Sequence, residues 1–172
     1  MKLLICFGTR PEYIKVKSLI KNLGQVDILF TGQHDFLEIS EYNIHKLEII
    51  NKDNRLCDII SSILLNGNLL KPYDYVLVQG DTASAFAIAL TSFNYGIKII
   101  HLEAGLRVNN IYDPFPEEGY RQMISRIAHV HLCPTERDRE NLLNENITKN
   151  IYVTGNTVLD NLVNIRKETR YD

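Results

Sequence analysis

The sequence predicts a doubly wound α/β domain built on a parallel sheet of six or seven strands. Short apolar runs, several of them rich in β-branched residues, recur without in/out alternation, which is typical of strands buried on both faces. Segments with apolar residues at helical spacing separate these runs, and this alternation indicates right-handed βαβ units in a Rossmann-like arrangement. No internal repeat, low-complexity tract or Gly/Ser linker interrupts the pattern, so residues 1–172 are expected to form a single domain.

The predicted elements alternate along the whole chain. The strands are Leu3–Phe7, Val26–Phe30, Tyr75–Val78, Ile97–Leu102, Val130–Cys133 and Ile151–Val153, with a weaker candidate at His45–Ile50. The helical stripes are Tyr13, Val16, Leu19, Ile20 and Leu23, then Cys57, Ile60, Ile63 and Leu64, then Met123, Ile124 and Ile127. A last helix is expected from Thr157 to about Glu168.

Composition and charge exclude several functional classes. The chain has 45% hydrophobic and 23% charged residues, and its net charge of −2 argues against nucleic acid or an anionic membrane as a general partner. No apolar run approaches the ~18 residues that cross a bilayer, and the apolar stretch at the N-terminus is too short for a signal peptide. Cys6, Cys57 and Cys133 lack the paired spacing of zinc or redox sites, so they are predicted to be buried thiols in a reducing compartment, the cytoplasm.

Cationic residues follow the first predicted strand. Gly8 permits a tight turn, and Pro11 suits the first position of a helix capped by Thr9 or by the backbone of Arg10. Arg10 and Lys15 then lie near a helix N-terminus, which favours anions. They are either contacts for a diphosphate or nucleotide sugar, or surface cations beside a turn. The G-x-G-x-x-G pattern is absent, which argues against NAD or FAD.

Two carboxylates follow later strands. Asp81 comes after the strand at Tyr75–Val78 and is either a functional acid or the N-cap of a helix from Thr82 to Tyr95. Glu103 ends an apolar strand, where a buried carboxylate needs a partner or a task, and Arg107 is a candidate partner. His101 is interpreted as a packed, hydrogen-bonded strand residue.

A third acidic position follows Pro116, where Glu117 and Glu118 are predicted to open a helix. The helix dipole favours acids in a first turn for structural reasons alone, and Glu117 and Arg121 share a helix face at i,i+4 spacing. The first strand and those preceding Asp81 and Glu103 are expected to be neighbours at the point where the strand order reverses. Carboxylates gathered there with cations have the composition that acid/base chemistry requires.

Ordered motifs carry a family resemblance. They are Phe7-Gly-Thr-Arg-Pro-Glu12, Thr31-Gly-Gln-His34, Gln79-Gly-Asp-Thr82, His101-Leu-Glu-Ala-Gly-Leu-Arg107, Pro114-Phe-Pro-Glu-Glu118, Pro134-Thr-Glu136 and Val153-Thr-Gly-Asn156. In this order they resemble the non-hydrolysing UDP-N-acetylglucosamine 2-epimerases, over essentially the whole chain. The resemblance implies one half of a two-domain fold similar to the glycosyltransferase B type, with the active site in the cleft between domains.

The resemblance also implies a reaction. UDP is eliminated to give 2-acetamidoglucal and is added again with the opposite configuration at C2, without a metal, nicotinamide or other cofactor. A proton leaves one face of the sugar and returns to the other, so acid/base groups must reach both faces. The family's catalytic acids match Asp81, Glu103 and Glu117, and its substrate-binding positions match Arg10, Lys15, His34 and Arg121.

The sequence departs from the family pattern in several places. The chain stops where the family's second, C-terminal domain would begin. Tyr120 replaces a usual Asn, Val108 and Asn109 replace a common Thr-Gly, and the segment from Asp35 to Tyr73 is shortened.

These features support more than one hypothesis. The first is the N-terminal half of an epimerase, which binds a UDP-sugar and needs a separate C-terminal partner for activity. The alternatives are a non-catalytic remnant or binding module, and half of a hydrolysing 2-epimerase that releases free sugar. Family members commonly form homodimers, so a second copy is a further expected partner.

Overall fold

The fold alternates strands and helices, as the sequence predicts. The computed structural model describes residues 1–34, 42 and 44–159. Its strands are β1 Leu3–Phe7, β2 Asp27–Phe30, β3 Ile44–Lys46, β4 Tyr75–Gln79, β5 Lys98–Leu102, β6 Val130–Cys133 and β7 Ile151–Val153. Its helices are α1 Arg10–Leu23, α2 Arg55–Leu65, α3 Ala83–Asn94, α4 Glu117–Ile127 and α5 Glu136–Asn144, with a 3-10 helix at Gly67–Leu70.

The strands form one parallel sheet of seven strands in the order β3-β2-β1-β4-β5-β6-β7. The chain builds outward from β1 through β2 to β3, and then restarts beside β1 with β4. The order therefore reverses between β1 and β4, where open α/β sheets bind their ligands beyond the carboxyl ends of the strands. The predicted adjacency of β1, β4 and β5 is confirmed.

Apolar side chains pack on both faces of the sheet. In β1, Leu4 and Cys6 pack among residues of α2, α3 and α4, while Ile5 and Phe7 pack with Val16 of α1 on the opposite face. Successive residues of a strand point to opposite faces, so burial of both faces requires continuous apolar runs. This is the physical reason why the central strands could be predicted from short unbroken runs.

Some sequence expectations need correction. The weaker strand candidate at His45–Ile50 is a three-residue strand that ends at Lys46. Cys57 is exposed and was wrongly predicted to be buried, whereas Cys6 and Cys133 are buried. Residues 157–159 are helical, and the remainder of the helix expected up to Glu168 lies outside the described residues. In the part of the chain that the structure describes, no helix is long and apolar enough to cross a membrane.

Candidate active site

Three loops meet beyond the carboxyl ends of β1, β4 and β5. The turn after β4 is tied to β5, because the backbone N–H of Gly80 donates to the carbonyl of Leu102 at 3.0 Å. A Cβ built on Gly80 would lie 3.9 Å from Oε2 of Glu103, so the turn that carries Asp81 runs beside Glu103. The crevice predicted at this edge of the sheet therefore brings Asp81 and Glu103 onto one rim.

The start of α1 borders the crevice on one side. Thr9 is the N-cap, its side chain accepts a hydrogen bond from the backbone N–H of Glu12 at 3.4 Å, and Pro11 lies in the first turn. This confirms the predicted Thr9 cap, with the helix starting one residue before Pro11. Arg10 is exposed at the first helical position, and Lys15 is half-buried further along the helix.

Glu103 is held in one orientation by two side chains. Its Oε2 atom accepts from Nζ of Lys15 at 2.5 Å and from Nε2 of Gln79. Its backbone has φ of 68°, a left-handed conformation that costs a non-glycine residue about 1 kcal/mol or more and that clusters at functional sites. The predicted partner Arg107 is wrong, since Lys15 is the cation that pairs with Glu103.

Arg107 instead joins the loop after β5 to two helices. Its side chain is 3% exposed, and it binds Glu145 through Nε at 2.5 Å and Nη2 at 2.9 Å. Nη2 also donates to Oγ of Ser125 in α4 at 3.1 Å. The short sequence distance between Arg107 and Glu103 favoured the wrong pairing, because the turn directs the two side chains to different neighbours.

Asp81 is paired with Arg121 of α4. Oδ2 of Asp81 accepts from Nε of Arg121 at 3.0 Å and also from Nη2, while Nη1 of Arg121 donates to the fully buried Glu118. Asp81 does not cap α3, because Thr82 is the N-cap and accepts from the N–H of Ala85 at 3.1 Å. The capping alternative for Asp81 is therefore wrong.

Glu117 opens α4, as predicted, and is partly exposed in its first turn. Glu117 and Arg121 share a face of α4 at i,i+4 spacing, but Arg121 binds Glu118 at i,i+3 and Asp81 instead. Among the described residues, no hydrogen bond or ion pair joins Glu117 to Asp81 or Glu103. Glu117 therefore lies one helical turn before Arg121, the partner of Asp81, without a direct contact to either catalytic candidate.

His34 is held beside the turn after β1 by a backbone hydrogen bond. Its N–H donates to the carbonyl of Gly8 at 2.9 Å, and its side chain is exposed. Gly8 has no room for a side chain, since a Cβ there would overlap the hydroxyls of Thr31 and Ser84, which lie 2.7 Å from each other. The close approach of these segments explains the glycine and packs the loops after β1 and β2 against the start of α3.

Loops after β6 and β7 close the far side of Glu103. Pro134, Asn156 and Thr157 line a narrow cleft together with Lys15 and Glu103. Two of the sequence motifs, which begin at Pro134 and at Val153, are therefore located at this edge of the sheet. In the part of the chain with described coordinates, no group of three or more His, Cys, Asp or Glu side chains is arranged to hold a metal ion.

His101 is a packed residue of β5, as predicted. It is fully buried, and its Nε2 atom lies 2.8 Å from the carbonyl oxygen of Gly80. Burial, with a smaller contribution from the nearby charges of Arg107 and Arg121, lowers the pKa of His101 to about 3. The ring is therefore neutral at physiological pH and supports the Gly80 turn from below.

Two of the departures from the family pattern have a structural explanation. Tyr120 is buried and stacks on Phe86 of α3, with ring centroids 4.9 Å apart and planes 9° apart, so it joins α4 to α3. Asn109 has φ of 67°, a conformation that asparagine tolerates better than most residues and that a glycine would adopt freely. Val108 is exposed, and nothing in the structure explains the change there.

Sequence reasoning missed three polar residues at this site as separate candidates: Gln79, which holds Glu103, Glu118, which holds Arg121, and Glu12, which accepts from Thr82 at 2.7 Å. Gln79 could have been found by the signal that identified Glu103, because it is a polar residue at the end of a buried apolar strand. Glu12 and Glu118 gave no such signal, because acids in a first helical turn are common for structural reasons.

Comparison with known proteins identifies the family of this chain. The family model described as UDP-N-acetylglucosamine 2-epimerase matches residues 18–172. The chain belongs to this family. A putative UDP-N-acetylglucosamine 2-epimerase of Thermotoga maritima is 43% identical over 94% of this chain and 47% of its own length. The corresponding enzyme of Campylobacter jejuni is 41% identical over 99% of this chain and 49% of its own length.

Solved structures of the epimerase family show the same fold. The Neisseria meningitidis UDP-GlcNAc 2-epimerase bound to UDP-GlcNAc has a TM-score of 0.88 and 36% identity, covering 99% of this chain and 50% of its own. The Methanocaldococcus jannaschii enzyme in complex with UDP-GlcNAc and UDP has a TM-score of 0.86 and 31% identity, covering 100% of this chain and 51% of its own. The chain thus spans about half the length of the epimerases that it matches.

Proposed function

We propose that this chain is the N-terminal half of a UDP-N-acetylglucosamine 2-epimerase, which inverts C2 of the sugar when a C-terminal half is supplied. The observation that carries the proposal is the pair of carboxylates at the ends of adjacent strands, each oriented by its own cation. Lys15 holds Glu103, and Arg121 holds Asp81.

The contacts of these carboxylates suit acid/base work. Both contacts of Glu103 use Oε2, and both contacts of Asp81 use Oδ2. Within the described residues, the second oxygen of each group accepts no hydrogen bond, so it remains available to a proton of the substrate. We assign Asp81, Glu103 and Glu117 as the acid/base groups that exchange the C2 proton on the two faces of the ring.

Substrate binding is assigned to the cationic side of the crevice. Arg10 lies at the first position of α1, where the helix dipole favours a diphosphate, and Lys15 lies in the second turn, where it adds a positive charge beside Glu103. His34 and Arg121 complete the proposed substrate-binding set. Binding and charge neutralisation there would assist departure of UDP from C1 as the C2 proton is removed. UDP then adds again to C1 of 2-acetamidoglucal, and a proton returns to the opposite face of C2.

The proposal includes partners and a location. This half provides one wall of the crevice, so we expect weak UDP-sugar binding alone and turnover only with a C-terminal domain. A second copy of the chain is a further proposed partner. The three cysteines are free, which agrees with the proposed cytoplasmic location.

The test is isotope exchange at C2. The chain is mixed with the C-terminal half of the Campylobacter jejuni relative and UDP-N-acetylglucosamine in D2O, and deuterium at C2 is followed by NMR. Exchange is expected in the mixture and absent with either half alone. Loss of a general acid or base lowers rates by about 100-fold or more, so Asp81→Asn, Glu103→Gln and Glu117→Gln should each do so. Glu136→Gln, an exposed first-turn acid of α5, is the matched control.

The departures from the family pattern at Tyr120, Val108 and Asn109 favour a second candidate, a non-catalytic binding module. That function predicts UDP-sugar binding by this chain without C2 exchange in any mixture of halves. If the two folded halves associate but the mixture shows no C2 exchange, the epimerase assignment is rejected. Release of free N-acetylmannosamine together with UDP would identify a hydrolysing relative instead.

A further inference from the structure

Glu12 is a buried carboxylate that joins two segments of the crevice. It is 2% exposed, and its Oε2 atom accepts from the backbone N–H groups of Gly8 at 2.8 Å and Thr9 at 2.7 Å. Its Oε1 atom accepts from the hydroxyl of Thr82 at 2.7 Å, across 70 residues of sequence. Burial raises the pKa of Glu12, while these hydrogen bonds oppose the rise.

Helix capping alone does not explain this arrangement. A second capping box occurs at α5, where Asp138 is 5% exposed and its Oδ2 atom accepts from the backbone N–H of Thr135 at 3.0 Å and from its hydroxyl at 2.6 Å. Both of those contacts are local and use one oxygen. Glu12 performs the same capping with one oxygen and uses the other for a contact with a different helix. The long-range contact is therefore the feature that capping leaves unexplained.

Thr82 links Glu12 to Asp81, the acid that precedes it in the chain. Its single hydroxyl donates to Glu12 and at the same time accepts from the N–H of Ala85, which caps α3. Thr82 directly follows Asp81, whose carboxylate holds Arg121. A displacement of Thr82 would therefore change the geometry of the pair between Asp81 and Arg121.

We propose that Glu12 is a positioning residue that sets the separation between the start of α1 and the start of α3. The first segment carries Arg10 and Lys15, and the second follows Asp81. The proposed substrate-binding cations and one proposed acid/base group thus keep a constant spacing through one buried carboxylate. The consequence for turnover rests on the function proposed above, whereas the positioning itself is independent of that function.

The test is an NMR comparison of Glu12→Gln with Asp138→Asn. Glutamine has the size of glutamate, but only one of its two terminal groups accepts a hydrogen bond. Its NH2 group must therefore face either the backbone N–H groups of Gly8 and Thr9 or the hydroxyl of Thr82, and that contact is lost. Loss of one hydrogen bond corresponds to about a tenfold effect, so solvent exchange of the Arg121 Nε–H is expected to quicken about tenfold in Glu12→Gln. The exchange is expected to stay unchanged in Asp138→Asn. A role limited to capping would leave the Arg121 signal unchanged in both variants.

A second pair of variants decides the question even if Glu12→Gln does not fold. Thr82→Val removes the donor to Glu12 and keeps the buried charge, and Thr135→Val is its control, because it removes the N-cap of α5 in the same way. Faster exchange at Arg121 in Thr82→Val, with recovery in Thr82→Ser, would support the proposal. Unchanged exchange in folded Thr82→Val would overturn it.

The rate of C2 exchange is a second, independent measurement on the same variants. In the C2 exchange assay, Glu12→Gln is expected to lower kcat, while Asp138→Asn keeps the wild-type rate. If the wild-type halves show no C2 exchange, the proposed function fails, and the Arg121 measurement still tests the positioning role. If Glu12→Gln keeps the wild-type kcat and the Arg121 signal is unchanged, the positioning role of Glu12 is rejected and the proposed function is unaffected.

Discussion

Replacement of Gly105 by alanine is expected to destabilise the protein more than the same replacement at Gly96. Both glycines have a positive φ, 88° at Gly105 and 71° at Gly96, and an alanine in this conformation costs about 1–2 kcal/mol. A Cβ at Gly96 would meet no heavy atom within 4 Å, so conformational strain is the whole expected cost there.

The surroundings of Gly105 add a steric cost. A Cβ there would overlap the carbonyl oxygen of Asp138 and lie 2.7 Å from the carbonyl carbon. These are backbone atoms of α5, so a rotamer change cannot relieve the overlap, and overpacking of this kind costs about 1–3 kcal/mol. The sum predicts a loss of about 2–5 kcal/mol for Gly105→Ala, against about 1–2 kcal/mol for Gly96→Ala.

Urea unfolding followed by circular dichroism measures both losses. Equal slopes in the wild type and both variants are needed for the comparison, because a changed slope would mean a changed unfolded or native state. If the two losses agree within about 0.5 kcal/mol, the close packing of the loop after β5 against α5 is refuted. Glu103 lies in that loop, so its proposed rigid placement would lose support with it.

Two further predictions concern the layer beneath the crevice. Burial lowers the pKa of His101 to about 3 and that of His131 to about 4, so the unfolded chain takes up protons first as the pH falls, and stability is lost below about pH 6.5. Between about pH 7.5 and about pH 5, each histidine should lower the free energy of unfolding by about 2 kcal/mol. Urea unfolding of His101→Gln at the two pH values should therefore show a decrease that is about 2 kcal/mol smaller than in the wild type. Arg107→Lys should cost about 1.5–3 kcal/mol in urea unfolding at neutral pH, because it breaks the two-point contact with Glu145. Arg126→Lys should cost less than about 1 kcal/mol, since the Arg126 side chain is 57% exposed, lies 3.7 Å from the Glu145 carboxylate and donates only one exposed hydrogen bond, to the Glu145 carbonyl at 2.8 Å. Equal losses in the two arginine variants would contradict the buried role of Arg107.

Local patterns predicted the elements well where burial leaves a continuous apolar run. The strands at Leu3–Phe7 and Val130–Cys133 have the predicted bounds. The strand at Ile151–Val153 also has the predicted bounds, because its residues are apolar although Tyr152 and Val153 are exposed. At β3 the pattern was weaker, and the strand is shorter than predicted. Two of its three residues, His45 and Lys46, are polar and exposed, so they give no apolar run.

Pairing between charged side chains was predicted less well. Sequence proximity suggested Arg107 for Glu103, but Lys15 pairs with Glu103 from 88 residues away. Arg121 shares a helix face with Glu117, yet its guanidinium contacts Asp81 across 40 residues. Long side chains reach any charge within a few ångströms, so spacing along the chain is a poor guide to their partners.

By itself, the sequence determined which segments are buried strands and which polar residues follow them, because burial on both faces imposes an apolar run that any window of the chain reveals. It thereby also determined that Asp81 and Glu103 share one edge of the sheet. Tertiary structure alone decided that Lys15 and Arg121 hold these two acids and that Glu12 reaches Thr82. Such contacts form between segments that only the folded sheet brings together, and the direction of a side chain there depends on backbone turns such as the left-handed one at Glu103.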